Sequence, residues 1–243
     1  MSLDVGSLSQ ALEGQSPEAI LREAADRFGG RIALATSFGI EDCVLIDMVG
    51  RAGLKIDPFT LDTGLLFPET YELWARLEAK YGIKIRGAKA TLTLEAQAAA
   101  HGPELWTSAP DRCCDLRKVQ PLRSELSKFD AWVTGIRRDQ TPDRANAQIV
   151  ENDKRFGLIK FNPLVAWTSK DVWKYVMSNG VPYNPLHDQG YPSIGCLPCT
   201  SPVAAGEDPR SGRWRGSVKT ECGLHVETKS GAEQPLTQLA MGR

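Results

Sequence analysis

The chain holds six cysteines, and four of them fall into two short patterns that can do chemistry. Cys113 and Cys114 stand side by side in "DRCCDLRK", while Cys196 and Cys199 form a C-x-x-C pair in "GCLPC". Neighbouring cysteines rarely bond to each other, because such a disulfide strains the peptide between them. Together the two patterns offer four thiolates, the number that closes a tetrahedral zinc site or ligates a 4Fe-4S cluster. Adjacent thiolates chelate one zinc awkwardly, whereas a cubane gives each neighbour its own iron, so the spacing favours iron and sulfide. A zinc knuckle, or thiols that merely pack, are the competing readings.

Cys222, in "TECGLH", is left over. A spare cysteine before glycine on a weakly patterned tail suits a thiol that another molecule must reach, although an idle exposed thiol fits equally well on these residues alone. Cys43 lies in the apolar run "CVLIDMV" and reads as an inert core residue. The turn Ser37 to Asp42, "SFGIED", joins an apolar strand to a helix, where backbone N–H groups can face an anion. It lacks the Lys-Ser/Thr ending of a P-loop. "LDTG", Leu61 to Gly64, ends the next strand on the same sheet edge, where open α/β folds bind ligands. Arginines and lysines recur on these loops: Arg112, Arg117, Lys118, Arg137, Arg138, Arg144, Arg210 and Arg213. Guanidinium forks match phosphate and sulfate oxygens in pairs, so the set suits a compact dianion.

The elements that must position these residues alternate between helix and strand, which predicts an α/β fold with a mostly parallel twisted sheet flanked by helices. Ser16, Pro17 and Glu18 start a helix reaching about Phe28, "IALAT" (32–36) is a buried strand, and "CVLIDMVG" is the next helix. "PFTLDTG" is a second strand, "PETYELWARLEAKYG" a helix with proline first and glycine last, and "IKIRG" and "AWVTGI" are further strands. Thr168 and Asp171 form a capping box for a helix to Asn179. From Val181 the chain turns rich in proline and glycine and reads as loop. The expected division is a single α/β domain over 1–209, including the cysteine loops, and a mobile C-terminal tail over 210–243 carrying Cys222.

Apolar residues make up 42% of the chain, enough for a buried core, and a formal net charge of -1 gives no reason to expect nucleic acid or a membrane surface as partner. The first residues have neither a basic start nor an apolar run, so no signal peptide is read and a cytoplasmic location is expected. Thiols at regular spacing in a reducing compartment point to metal binding or redox chemistry before disulfides.

Taken together, the double cysteine with a lysine four residues on, "TGIRRDQTP", "GYPSIGCLPCT" and "ECGLH" closely resemble the assimilatory adenylyl-sulfate (APS) reductases, which group with the phosphoadenylyl-sulfate (PAPS) reductases. The resemblance runs from about Ile32 to His225. It implies an adenine nucleotide α-hydrolase-like fold and an oxidoreductase of sulfate assimilation that converts APS to sulfite and AMP, with thioredoxin or a glutaredoxin-like protein as reductant. By motif, Cys113, Cys114, Cys196 and Cys199 would hold a 4Fe-4S cluster, and Cys222 would attack the sulfur of APS to give an S-sulfocysteine. Lys118 would bridge cluster and substrate. Ser37, Phe38 and Gly39 would face the phosphosulfate, Leu61 and Thr63 the adenosine, and Gly135 the ribose or phosphate. Arg144, Arg210 and Arg213 would clamp oxygens. The oligomeric state stays open, a homo-oligomer included.

A PAPS reductase, or one of dual specificity, is the nearest alternative, but that branch usually lacks the paired cysteines. An ATP-dependent tRNA thiolase would need a Ser-Gly-Gly loop that "SFGIED" does not provide. A zinc-stabilised binding module without catalysis would make Cys222 dispensable.

Overall fold

The computed structural model describes residues 3–216 together with Lys219 and Leu224, so Cys222 lies outside the described residues. Among these residues the chain runs α1 (Val5–Leu12), α2 (Pro17–Phe28), β1 (Ile32–Thr36), α3 (Ile40–Ala52), β2 (Asp57–Asp62), α4 (Pro68–Tyr81) and β3 (Arg86–Lys89). It continues through α5 (Leu94–His101), α6 (Leu105–Ser108), α7 (Pro110–Cys114), α8 (Gln120–Leu126), β4 (Ala131–Val133), β5 (Val150–Asp153), β6 (Leu158–Phe161) and α9 (Ser169–Asn179).

The strands form one six-stranded sheet in the order β3-β2-β1-β4-β6-β5. All neighbours are parallel except β5, which pairs antiparallel with β6 at the edge. The mostly parallel sheet is thus as expected. β1 and β4 are buried almost throughout, because the helices on both faces leave neither side to water. One core cluster packs α2, α3, α4 and α9 on one face, and a second packs α8 with Phe59 and Trp132 on the other.

Local chemistry sets the helix ends. The Ser16 hydroxyl accepts the Ala19 N–H at 3.2 Å, Pro17 opens α2, and Gly29 closes it with φ of 54°. Thr168 and Asp171 make the anticipated capping box on α9. Other boundaries differ. α3 begins at Ile40, so only Ser37 to Gly39 remain as turn. The strand expected at "IKIRG" starts at Arg86, since the Ile85 N–H is taken by the Glu78 carboxylate at 2.7 Å.

α7 and α8 are joined by a π-helical turn, Asp115–Val119, in which the Gln120 N–H donates to the Asp115 carbonyl five residues back. Pro121 explains the widening, because it has no N–H for the Arg117 carbonyl and its ring would crowd that oxygen in a regular helix. The turn sets Arg117 and Lys118 at new angles directly after the double cysteine.

Candidate active site

Three strand ends build the site. β1 delivers Ser37, β2 delivers Leu61 and Thr63, and β4 delivers Gly135, all on the carboxyl edge of the sheet where a central strand has neighbours leaving in opposite directions. Between them opens a cleft of about 520 Å³, lined by Ser37, Gly39, Leu61, Thr63, Lys118, Gly135, Arg144, Arg210 and Arg213. All but one of the substrate-site residues anticipated from sequence therefore meet at one cleft. The exception is Phe38. Its ring is buried in the core, 5.6 Å from the Trp74 ring, and its backbone takes φ of 60°, a conformation uncommon outside glycine.

The turn of β1 is also less open to anions than its sequence suggests. The Asp42 carboxylate accepts the Ser37 N–H at 2.6 Å and the Ser37 hydroxyl at 2.9 Å, and the Phe38 N–H donates to the Thr36 hydroxyl. Burial pushes the Asp42 carboxyl up to about 6, opposed by those two bonds from Ser37. Gly135 abuts this carboxylate, for a Cβ there would lie 2.5 Å from Asp42 Oδ1. A Cβ at 135 would force the Asp42 carboxylate to move.

The cations divide. Arg117 is buried and structural: its guanidinium donates to the Thr63 carbonyl at 2.6 Å, the Gln97 amide oxygen at 3.1 Å and the Leu92 carbonyl at 3.3 Å. Arg137 lines the cleft but is held by Glu41 at 2.9 Å and by Asp139. Arg112 pairs with Asp115 at the surface, and Arg138 with the Ala147 carbonyl and Glu13. Arg144 donates to the Gln140 amide oxygen at 2.6 Å. Arg213 lies against the Ser193 hydroxyl and the Ile194 carbonyl, and its buried Nε has no hydrogen-bond partner among the described residues.

Beside the cleft, Cys113, Cys114, Cys196 and Cys199 line one small cavity with Leu65, Trp106, Pro110, Arg117, Lys118 and Trp214. The Cys196–Cys199 loop is tied to the segment after β2 by a bridge between Leu66 and Cys196 and by the Leu197 N–H on the Leu65 carbonyl at 2.7 Å, and Arg117, just past the double cysteine, reaches the Thr63 carbonyl of that same segment. Thr63 is drawn to this side, its hydroxyl 3.3 Å from the Cys196 sulfur. Burial, with Cys114 and Cys196 nearby, pushes the Cys113 thiol up to about 11, and burial with Cys196 does the same for Cys199, against a pull from Lys118. Among the described residues no three His, Cys, Asp or Glu side chains gather tightly enough to hold a single metal ion. Cys43 is a buried core residue, as read.

Lys118 lines both the thiol cavity and the cleft. This residue borders both.

The phosphoadenosine phosphosulfate reductase domain family matches residues 31–202. The chain belongs to this family. It is 52% identical over 207 residues to adenosine 5'-phosphosulfate reductase 1 of Bacillus subtilis (strain 168), covering 85% of this chain and 89% of that protein. Identity to the phosphoadenosine 5'-phosphosulfate reductase of Gloeobacter violaceus is 47% over 222 residues, 90% of this chain and 92% of that one. Among solved structures, the PAPS reductase from Candida auris in a phosphate complex superposes with a TM-score of 0.72 at 33% identity, over 84% of this chain and 99% of that one. The family resemblance, the adenine nucleotide α-hydrolase-like fold and the oxidoreductase class drawn from the motifs are borne out.

Several cleft residues were not singled out from sequence: Glu41, Asp42, Gln140, Trp132, Trp173, His187 and Leu224. His187 sits edge-on to Trp173 and tilted against Tyr183, burial lowers its proton affinity, and its Nε2 has no hydrogen-bond partner among the described residues. A lone histidine in a proline-rich loop gives no sequence signal of this kind. Leu224 packs against the core cluster containing Phe59, Leu122 and Trp132. Among the described residues no helix is long and apolar enough to cross a membrane.

Proposed function

We propose that the protein reduces APS to sulfite and AMP in sulfate assimilation, in the cytoplasm, through an S-sulfocysteine on Cys222 in a tail running from 210 to 243. The observation that carries this reading is Lys118, shared between a four-thiol cavity and a nucleotide-sized cleft. The apolar wall of Leu61, Phe59, Leu122 and Trp132 suits a nucleobase, and Lys118, Arg144, Arg210 and Arg213 suit the oxygens of a phosphosulfate.

In the first step the Cys222 thiolate forms a bond to the sulfur of APS, the bond from that sulfur to the phosphate oxygen breaks, and AMP leaves with the electron pair. Cations around the sulfonyl oxygens lower the repulsion between two anionic reactants. In the second step a thiolate of a dithiol protein such as thioredoxin attacks the Cys222 sulfur and expels sulfite. Its second thiol then displaces Cys222 as thiolate, so the reductant ends as a disulfide.

Cys113, Cys114, Cys196 and Cys199 are the residues that would hold a 4Fe-4S cluster. They border one cavity, and adjacent thiolates suit a cubane with a separate iron for each better than one zinc. When bound, the cluster supplies a polarising charge distribution beside Lys118.

Turnover on APS and on PAPS, with a dithiol donor, tests the reading. APS is expected to be the better substrate by at least about tenfold in kcat/KM, and Cys222→Ser to abolish sulfite release while AMP still binds. Equal use of both nucleotides favours the dual-specificity alternative, and a fully active Cys222→Ser removes the mechanism.

A further inference from the structure

Gln140 lines the cleft and stands between two buried arginines, Arg137 and Arg144. Its Oε1 accepts the Arg137 backbone N–H at 2.9 Å and an Arg144 guanidinium N–H at 2.6 Å, while its Nε2 donates to Glu41 Oε1 at 3.1 Å. The amide therefore has one workable orientation. Turned over, it would set its NH2 group against two donors and its carbonyl against a carboxylate. Glu41 is itself held. It stands in the first turn of α3, where the positive end of the helix favours a carboxylate, and its Oε1 also takes the Arg137 Nε–H at 2.9 Å. The backbone adds a further tie, for the Gln140 N–H donates to the Arg137 carbonyl at 3.3 Å. One hydrogen-bonded chain thus runs from the start of α3 through Glu41 and Gln140 to Arg144, on the short helical turn Pro142–Arg144. The two arginines meet different chemistry along it. Glu41 and Asp139 oppose the charge of Arg137, whereas Gln140 meets Arg144 with a neutral oxygen, a contact that aims the guanidinium and leaves its positive charge intact.

We propose that Gln140, braced by Glu41, is a positioning residue that holds the Arg144 fork at the angle at which it meets the oxyanion of the substrate, acting through Arg144 and not by touching the substrate. The inference rests on the reading of the cleft as an APS site with Arg144 among its clamps. An arginine side chain has many rotamers, and a planar fork that must match two oxygens binds better when it is held before the ligand arrives. Glutamine suits this task and its acid does not. A glutamate at 140 would face Glu41 with like charge and would offset the charge of Arg144. The arrangement also links two walls of the cleft. Adjacent carboxylates at the start of α3 brace one each, Asp42 through Ser37 and Glu41 through Gln140.

Gln140→Met tests this, since it keeps the length of the side chain and removes its hydrogen bonds. The native protein, Gln140→Met, Arg144→Ala and the double variant form a cycle, read as affinity for AMP and for adenosine by isothermal titration and as kcat/KM on APS. AMP carries an oxyanion and adenosine does not. Gln140→Met is expected to weaken AMP binding and to lower kcat/KM, each about tenfold, with adenosine affinity unchanged; that last readout also reports an intact cleft. In the Arg144→Ala background the same substitution is expected to have no further effect. A Gln140→Met loss of equal size with and without Arg144, or equal weakening of AMP and adenosine, would show that Gln140 supports the cleft wall at large and overturns the positioning role. So would a variant that binds AMP and turns over like the native protein. Arg144→Ala with native AMP affinity and turnover would remove the clamp, and the positioning role with it. A native protein that releases no sulfite from APS, yet shows the coupled AMP losses, would overturn the reductase reading and leave Gln140 positioning Arg144 for another nucleotide.

Discussion

Gly195 and Arg213 are in such close contact that a Cβ at 195 would lie 2.2 Å from Arg213 Nη2 and 2.5 Å from its Cζ. The groups that would clash are the far end of a flexible side chain, so the backbone can stay while the guanidinium swings away. Gly195→Ala is therefore expected to leave the melting temperature within a few degrees of the parent and to weaken AMP binding about tenfold, by displacing one charged fork from the cleft. Isothermal titration with AMP alongside a thermal melt checks both. A large fall in melting temperature with normal AMP affinity would mean that Arg213 serves packing and not the ligand.

Arg117 and Lys118 are sequence neighbours with opposite expected phenotypes. Arg117→Ala strips the donors from the Thr63 and Leu92 carbonyls and from Gln97, leaving buried acceptors unpaired. A loss of about 2–4 kcal/mol in unfolding free energy is expected. Lys118→Ala faces two cavities and is expected to change stability by less than about 1 kcal/mol while reducing single-turnover sulfur transfer at least about a hundredfold. Denaturant melts paired with transfer rates separate them. Equal stability losses in both variants would sink the distinction.

This contrast also marks where sequence reading stops. Ser16 with Pro17 and Gly29, the run "IALAT", and the proline-to-glycine frame of α4 state their structure locally, through capping, apolar runs and φ preference. β6 does not, because Lys160 sits in its middle; the lysine is buried only by reaching Glu151 at 2.8 Å and lying over the Trp132 ring. The short helices from α5 to α8 lack a strong apolar period, and their π-helical turn depends on Pro121 meeting Arg117 in three dimensions. In the site, ligand number alone paired Cys113 and Cys114 with Cys196 and Cys199. That Asp42 occupies Ser37, and that Phe38 turns inward, are long-range packing outcomes with no local signature.

Asp42 gives a pH signature with a definite sign. Its carboxyl is held near 6 in the folded chain, mainly by burial, against an ordinary value of 3.8. Between those values the folded state binds more protons than the unfolded one, so this residue's contribution to stability falls as pH rises from about 4 to 6 and is constant above. The unfolding free energy of the native protein minus that of Asp42→Asn is expected to fall by up to about 3 kcal/mol across that window. Denaturant titrations at half-unit pH intervals measure it. A difference that is flat from pH 4 to 6, or that grows, would show that the carboxyl titrates normally and that Ser37 holds it as a settled anion.

The thiol cavity makes the most decisive prediction, since two kinds of metal site predict different inventories from the same four residues. A single zinc needs four sulfurs about 2.3 Å from one centre, whereas a cubane spreads its ligands over separate irons and tolerates adjacent cysteines. Anaerobically purified protein is expected to contain about four irons and four sulfides per chain, with a broad visible absorption band and negligible zinc. Because buried thiols at Cys113 and Cys199 are protonated when empty, loading is expected to release protons, detectable in weakly buffered solution. Replacing Cys113 or Cys199 with serine is expected to lower iron content sharply while AMP still binds at the separate cleft. Stoichiometric zinc without sulfide would make the double cysteine a structural site, and the reductase mechanism would then stand on Cys222 and the cleft alone.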